Sequence, residues 1–175
     1  MKNFNLLVST PRYNETEAKA ELWFTLLMCG DTYPIISGIP FQGLITALTD
    51  LDKKKVISEI RGIIKKNPDF FQFILKIVPI DFICETDIKT INYLIQENYK
   101  DFINEDETFR ITLKRRKHEK IERTNFIDTI TKDIDNKVNL ENPDKVIRIE
   151  ILDNICGISF LEESDIIKLK YIRKI

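Results

Sequence analysis

Residues 136–160, NKVNLENPDKVIRIEILDNICGISF, contain the clearest structural pattern in the second half of the chain. The Asn-Pro-Asp sequence at 142–144 is a strong turn signal, so the residues around it are expected to form a short strand piece and a loop. Residues 146–151 and 155–160 are apolar runs of strand length, and the Asp-Asn pair at 153–154 suits a hairpin turn. This stretch therefore predicts a loop followed by two antiparallel strands.

Upstream of this stretch, the second half contains three more predicted elements. A helix begins at Asp87 or the residue before it and places an apolar stripe over 88–102. Residues 109–113 alternate between apolar and polar, which is typical of a strand. A further helix begins at Thr124, and the last segment, 165–175, suits either a helix or a strand.

The first half shows the order strand, helix, strand, strand, helix, strand. Its first helix follows Asn14, a residue type that favours the N-cap, and ends at Gly30. Its second helix begins at Asp52 or two residues earlier, and its last strand is expected over 70–78. This order is the split βαβ pattern of a small ferredoxin-like domain.

The two halves together predict an α+β fold with two domains. The N-terminal ferredoxin-like domain is expected to cover 1–83 and a second α/β domain to cover 84–175. No linker rich in Gly or Ser separates them, so the two domains are expected to pack against each other.

The composition excludes several classes of protein. With 27 basic and 28 acidic residues, the net charge of -1 provides no global field toward a polyanion, so any such site must be a local patch. The three cysteines, Cys29, Cys84 and Cys156, form no C-x-x-C, which argues against a disulfide framework or a zinc knuckle. Neither a signal peptide nor a membrane span is found, so the protein is expected to be soluble and cytoplasmic.

Candidates for catalysis are few. The single histidine, His118, lies inside a cationic run that would lower its pKa, so it is poorly suited to act as a general base. Cys84 and Cys156 lie among apolar residues and are expected to be buried structural thiols. No phosphate-binding or metal-binding motif is found. The sequence therefore predicts no catalytic centre, no metal and no cofactor.

The basic segment, residues 110–123, is the one departure from charge balance. It contains seven Lys or Arg against two Glu. If it is a strand end followed by a helix, Lys114 and Arg116 point to one side and Arg115 and Lys117 to the other. The helix N-terminus adds free N–H donors that suit an anion. Charge alone left two interpretations open, a nucleic-acid contact or a strand end guarded against aggregation.

Several motifs of the chain resemble a THUMP domain, an RNA-binding module of enzymes that modify tRNA. Over residues 71–160, the similar pieces are ILKIVPID (74–81), FRITLKRRKH (109–118), NKVNLENPDKVIRIEI (136–151) and ICGISF (155–160). The Asn-Leu-x-Asn-Pro element is the most specific of them. THUMP domains commonly follow a ferredoxin-like domain, which agrees with the order of elements in the first half.

STPRYNETEAKAEL (9–22) resembles the opening of one subgroup, the stand-alone THUMP proteins. These act as tRNA-binding adaptors of the RNA cytidine acetyltransferase that forms N4-acetylcytidine. The resemblance implies a non-catalytic protein, and with 15 residues after residue 160 no methyltransferase, pseudouridine synthase, sulfur-transfer or deaminase domain is expected there. It also implies shape recognition of the tRNA acceptor stem and 3′ end. Two alternatives stay open: an RNA-binding subunit of another tRNA-modifying enzyme, by methyl or sulfur transfer, and a protein-interaction module without an RNA role.

The expected RNA contacts are basic residues of these motifs. Lys76 is included because it occupies the basic position of the ILKIVP step, and Arg12, Lys170, Arg173 and Lys174 are weaker candidates. The candidates of the basic segment are Lys114, Arg116 and Arg123, followed by Arg115, Lys117 and His118.

Overall fold

The computed structural model describes residues 3–116 and 123–169; the side chains of 123 and 124 are outside this description. The chain divides into two compact units. The first unit runs up to Ile80 and takes in the residues from Ser164 onward, and the second unit is Asp81–Glu163. Helices and two separate sheets confirm the predicted α+β class.

The first unit is a five-stranded antiparallel sheet with two helices. Its strand order is β2-β3-β1-β4-β9, and the first four strands have the order of a ferredoxin-like fold. The elements are β1 (Leu6–Ser9), α1 (Glu15–Met28), β2 (Ile35–Gly38), β3 (Leu44–Leu48), α2 (Lys53–Lys66), β4 (Lys76–Pro79) and β9 (Ile167–Lys168).

One apolar core holds this unit together. Leu22 of α1 and Ile60 of α2 are fully buried against Val8, Ile45 and Ile77 of the sheet. Each aliphatic side chain of this kind contributes about 1.5–3 kcal/mol when it is removed from water. The spacing of the apolar residues along both helices therefore decides which face packs on the sheet.

The two helix starts of the first unit differ. Asp52, one of the two predicted start residues, caps α2, because its carboxylate accepts hydrogen bonds from the backbone N–H groups of Lys54 (2.9 Å) and Lys55 (3.2 Å). Asn14 occupies the N-cap position of α1 but makes no side-chain cap bond, since its backbone is not extended as at a typical N-cap. Glu15 instead accepts a 2.6 Å hydrogen bond from the N–H of Gly43.

The last predicted strand of the first half begins later than expected. Residues 70–75 lie outside β4, although the apolar run predicted a strand from 70. The carboxylate of Glu21 accepts hydrogen bonds from the N–H groups of Gln72 (2.6 Å), Phe73 (3.0 Å) and Ile74 (2.9 Å). The backbone donors of residues 72–74 are thus satisfied by a side chain on α1 in place of a neighbouring strand.

The second unit is a four-stranded mixed sheet with strand order β5-β8-β7-β6. The pair β6 and β7 is parallel, and the other two pairs are antiparallel. Helices α3 and α4 enclose a core on one face of the sheet, with Ile95, Phe109, Phe126 and Ile149 fully buried. The elements are β5 (Phe82–Glu85), α3 (Ile88–Phe102), β6 (Phe109–Arg116), α4 (Arg123–Thr131), β7 (Lys145–Leu152) and β8 (Ile155–Leu161).

The C-terminal segment differs from the predicted division at residue 83. A 3-10 helix, Glu163–Asp165, follows β8, and β9 then adds to the sheet of the first unit beside β4, with Ile77 opposite Ile167. Ile167 is buried in the core of the first unit, which explains why this segment leaves the second. Among the helices of the described residues, none has the length and apolar character needed to cross a membrane.

Candidate nucleic-acid interface

The end of β6 exposes three consecutive basic side chains. Lys114, Arg115 and Arg116 are exposed, while Leu113 before them is buried in the core under the helices. Because side chains alternate along a strand, Arg115 follows the side of Leu113, and Lys114 and Arg116 lie on the opposite face. The strand continues through Arg116, so this alternation, which the sequence predicted, applies to all three residues.

Lys114 lies opposite an acidic residue that already has a partner. In the parallel register its counterpart on β7 is Glu150, whose Oε1 is 2.7 Å from Nε and 2.5 Å from Nη2 of Arg148. Arg148 and Glu150 are only 6% and 8% exposed. Within the described ranges, Lys114 forms no side-chain hydrogen bond or ion pair, so its ammonium group can bind an anion.

Arg110, at the start of the basic segment, has a structural role. Its guanidinium donates a hydrogen bond to the carbonyl of Leu140 (3.1 Å) and forms an ion pair with Glu163. An arginine held in this way at both ends of its guanidinium is a poor phosphate ligand. The seven basic residues of the segment are therefore not equivalent.

The Asn-Leu-x-Asn-Pro element is a loop closed by its own side chains. Asn139 Oδ1 accepts hydrogen bonds from the N–H groups of Glu141 (3.3 Å) and Asn142 (3.1 Å), and its Nδ2 donates to the carbonyl of Asn142 (2.8 Å). Asp144 then accepts from the hydroxyl (2.7 Å) and N–H (2.8 Å) of Thr108, which lowers the pKa of Asp144. The loop thereby ties the start of β7 to the start of β6, the strand that ends in the basic side chains.

The remaining predicted residues are dispersed. Lys76 lies half-buried on β4 of the first unit, between Ser9 and Lys168 in register, and so belongs to a different unit from β6. Arg123 begins α4, and its side chain is outside the described part. Arg12 is exposed on the first unit. The other candidates, Lys117, His118, Lys170, Arg173 and Lys174, lie outside the described residues.

Charge is divided unequally between the two units. The sequence of the second unit contains 13 Lys or Arg and 19 Asp or Glu, and seven of the 13 lie in the basic segment. The first unit contains 14 Lys or Arg and nine Asp or Glu. The second unit is therefore acidic apart from one local concentration of cations, and the first is basic.

A second cationic surface, on α2, was not predicted from the sequence. This helix contains six Lys or Arg and a single acidic residue, Glu59. Lys54, Arg61 and Lys65 recur at i, i+7 and i+11, which places them on one line of the exposed face. Arg61 also donates to the carbonyl of Ile166 (3.4 Å), whereas the two lysines point to solvent without an ion pair in residues 3–116 and 123–169. The spacing of these basic residues was visible in the sequence, but the predicted helix was based on its apolar residues alone.

Tyr13 is another exposed feature that sequence reasoning did not identify. Its side chain is 79% exposed, and its backbone φ of 71° is unusual for a residue with a side chain. The hydrogen bonds from Thr10 N to Gly43 O (3.0 Å) and from Gly43 N to Glu15 hold the loop in this conformation. An exposed aromatic ring beside Arg12 is suited to stacking on a nucleobase.

Comparison with known proteins agrees with this architecture. The family model of the THUMP domain matches residues 85–161, a later start than the expected 71. The uncharacterized protein MJ0421 of Methanocaldococcus jannaschii is 31% identical over 125 residues, which cover 69% of this chain and 31% of that protein. This chain thus spans about a third of the length of that curated relative.

Two solved structures share the fold. PH1313 from Pyrococcus horikoshii Ot3 has a TM-score of 0.68 at 19% identity, with 95% of this chain and 56% of that chain covered. A 4-thiouridine synthetase, solved as an RNA complex with bound ATP, has a TM-score of 0.55 at 12% identity, with 95% and 42% covered. The family match identifies residues 85–161 as a THUMP domain, a type of RNA-binding module, and the two solved structures, at 19% and 12% identity, show the shared fold.

Proposed function

We propose that this chain binds tRNA through the basic end of β6 and, as a non-catalytic adaptor, presents it to an RNA cytidine acetyltransferase that forms N4-acetylcytidine. One observation carries the RNA part of the proposal. Seven of the 13 Lys or Arg of the second unit lie in the basic segment, three of them consecutive at the end of β6, inside the region that matches an RNA-binding family and within a unit that is otherwise acidic. A local cationic cluster of this kind favours phosphate contacts that position a structured RNA.

The proposed contacts are graded by what each side chain does in the fold. Lys114 and Arg116 share one face of β6 and form the centre of the site, with Arg115 on the other face. Lys117, His118 and Arg123 extend the site along the chain, and Lys76 is a separate contact on the first unit. Contacts to phosphates and 2′-hydroxyls suit the acceptor stem and 3′ end of tRNA better than base-specific recognition does.

The partner enzyme is the more specific part of the proposal. It rests on the resemblance of residues 9–22 to the adaptor subgroup. A second candidate, an RNA-binding subunit of a methyl- or sulfur-transferring enzyme, is supported by the fold shared with a 4-thiouridine synthetase. A third candidate, a protein-interaction module without an RNA role, would leave the cations of β6 as protection of an edge strand.

Binding of tRNA to paired charge reversals tests the RNA part. Lys114→Glu with Arg116→Glu should lower the affinity roughly 10- to 100-fold, because two phosphate contacts become repulsive. Lys89→Glu with Lys132→Glu is the matched control, since both lysines lie on the second unit outside the basic segment. Equal losses in both variants, or binding that does not respond to salt, would contradict this site and favour the third candidate.

Profiling of modified nucleosides tests the enzyme partner. In tRNA from cells that lack this protein, acetylcytidine should be lost while other modified nucleosides persist. Loss of a methylated or thiolated nucleoside with acetylcytidine intact would support the second candidate instead. Adding back the Lys114→Glu, Arg116→Glu variant should fail to restore the modification if both parts of the proposal are correct.

A further inference from the structure

Two cysteines of the second unit lie directly opposite each other in its sheet. Cys84 of β5 and Cys156 of β8 are register partners in an antiparallel pair, flanked by Ile83 opposite Gly157. Directly opposed residues in such a pair have Cα atoms about 4.5 or 5.5 Å apart. A disulfide requires a Cα separation of roughly 4.4–6.8 Å. The backbone therefore already holds the two cysteines at the distance that a disulfide needs.

The two side chains also meet. Both thiols lie on the face of the sheet that packs under α3, where Cys156 is fully buried and Cys84 is half-buried. A hydrogen bond between the thiols lowers the pKa of Cys84 and raises that of Cys156, and burial raises the latter further. Cys84 is thus both the more accessible sulfur and the one that deprotonates first.

We propose that Cys84 and Cys156 form a reversible disulfide that fastens β5 to β8. In the first step, the Cys84 thiolate attacks a low-molecular-weight disulfide and releases one thiolate, which leaves a mixed disulfide on Cys84. The Cys156 thiol then loses its proton and attacks the Cys84 sulfur, which expels the second thiolate. Two protein thiols are oxidised, one small disulfide is reduced to two thiols, and an excess of dithiol reverses the reaction.

The position of β5 gives the bond a structural consequence. β5 is a four-residue strand at the edge of its sheet and pairs only with β8 among the described strands. A covalent link across this pair also closes a long loop, because the two cysteines are far apart in sequence. The oxidised protein should therefore unfold at a temperature roughly 10 °C higher than the reduced protein.

Cys29 is an internal control for the reaction. It lies in the core of the first unit, has no thiol opposite it among the described residues, and its pKa is raised to about 11, mainly by burial. A thiol with this pKa forms little thiolate near neutral pH and should react slowly. General oxidation would modify Cys29 as well, whereas the proposed bond leaves it free.

The test is incubation of the full reduced chain with oxidised glutathione, followed by intact mass measurement, alkylation and peptide mapping. The expected result is a mass loss of about 2 Da, a Cys84–Cys156 cross-linked peptide, alkylation of Cys29 alone, and reversal by dithiothreitol. Cys29→Ser should behave like the wild type. Cys156→Ser should stop at a glutathione adduct on Cys84.

Two results would overturn the proposal. One is a wild-type chain in which all three thiols remain open to alkylation under denaturing conditions after the incubation. The other is a wild-type chain that accumulates only glutathione adducts. Because both results are read on the wild type, folding defects in the serine variants do not change how the proposal is decided.

Discussion

The two units have similar parts, a sheet and two helices, but they place their charged side chains differently. The first unit distributes cations along the exposed face of α2, and the buried polar residue of its strands is the uncharged Thr46. The second unit is acidic overall, has three consecutive cations at the end of β6, and buries the pair Arg148 and Glu150 in β7. The two units therefore present their cations to solvent in two distinct arrangements.

The geometry of each surface explains the difference. A helix rises about 1.5 Å per residue, so Lys54 and Lys65 are separated by roughly 16 Å along α2, a span of several phosphates. On β6 the backbone positions of Lys114 and Arg116, which share one face, are about 7 Å apart, because a strand rises about 3.3 Å per residue. The strand end suits a compact phosphate cluster, whereas the helix suits an extended backbone. The following predictions test this contrast.

The largest expected effect concerns the buried charges of the second unit. Glu150→Ala should destabilise this unit by about 3–5 kcal/mol, because Arg148 would remain buried without its counter-ion. Hydrogen exchange of the β7 amides in urea measures the loss. The double variant Arg148→Met, Glu150→Leu is the control and should lose much less. If the single and double variants were equally unstable, packing and not charge would be responsible.

The corresponding test in the first unit concerns Glu21. Glu21→Ala should destabilise that unit by about 2–3 kcal/mol, because three backbone N–H groups at 72–74 lose a charged acceptor. Trp23, the chain's single tryptophan, lies on α1 and reports unfolding of this unit by fluorescence. Glu17→Ala, an exposed acidic residue of the same helix, should cost below about 1 kcal/mol. Comparable losses would show that helix charge alone accounts for the effect.

A smaller effect is expected for the cations of α2 in RNA binding. Lys54→Glu with Lys65→Glu should weaken tRNA binding about 3- to 10-fold and reduce the steepness of its salt dependence. The reason is that these lysines supply electrostatic contacts at a distance from the compact cluster on β6. Measurement of tRNA binding over a series of salt concentrations gives both the affinity and the slope of its salt dependence. A loss as large as that of the Lys114→Glu, Arg116→Glu variant would place the main contact on the first unit.

The smallest expected effect concerns the stability that each unit loses at acidic pH through its own carboxylate. Hydrogen bonds from backbone N–H groups lower the pKa of Glu15 in the first unit, mainly that of Gly43, and hydrogen bonds from Thr108 lower the pKa of Asp144 in the second. A depressed native pKa contributes stability above the unfolded pKa and loses it as pH falls through the native value. Below about pH 4 each unit should lose stability, and Asp144→Asn should flatten the decline of the second unit alone. Unfolding of each unit, followed at several acidic pH values, checks this expectation. If Asp144→Asn also altered the acid-induced loss of stability of the first unit, the expectation would be wrong.

Local features of the candidate site could be predicted from the sequence, but the hydrogen-bond and ion-pair partners of its side chains could not. Alternation along a strand was enough to separate Lys114 and Arg116 from Arg115. The structural use of Arg110 was not visible, because its partners Leu140 and Glu163 are distant in sequence. Likewise, the spacing of Lys54, Arg61 and Lys65 along α2 could be seen in the sequence. Their exposure, which makes them a cationic surface, is known only from the folded unit.

The class and order of the elements could be predicted from local sequence: the α+β fold, the ferredoxin-like order of the first unit and the resemblance of the second to a THUMP domain. These follow from local periodicity, turn residues and caps, which act over a few positions. Three pairings are visible only in the folded chain: β9 joins the first unit, Arg148 pairs with Glu150 in a buried strand, and Cys84 faces Cys156. Strand register and burial bring together residues that chain order leaves far apart, and local sequence does not encode which of them will meet.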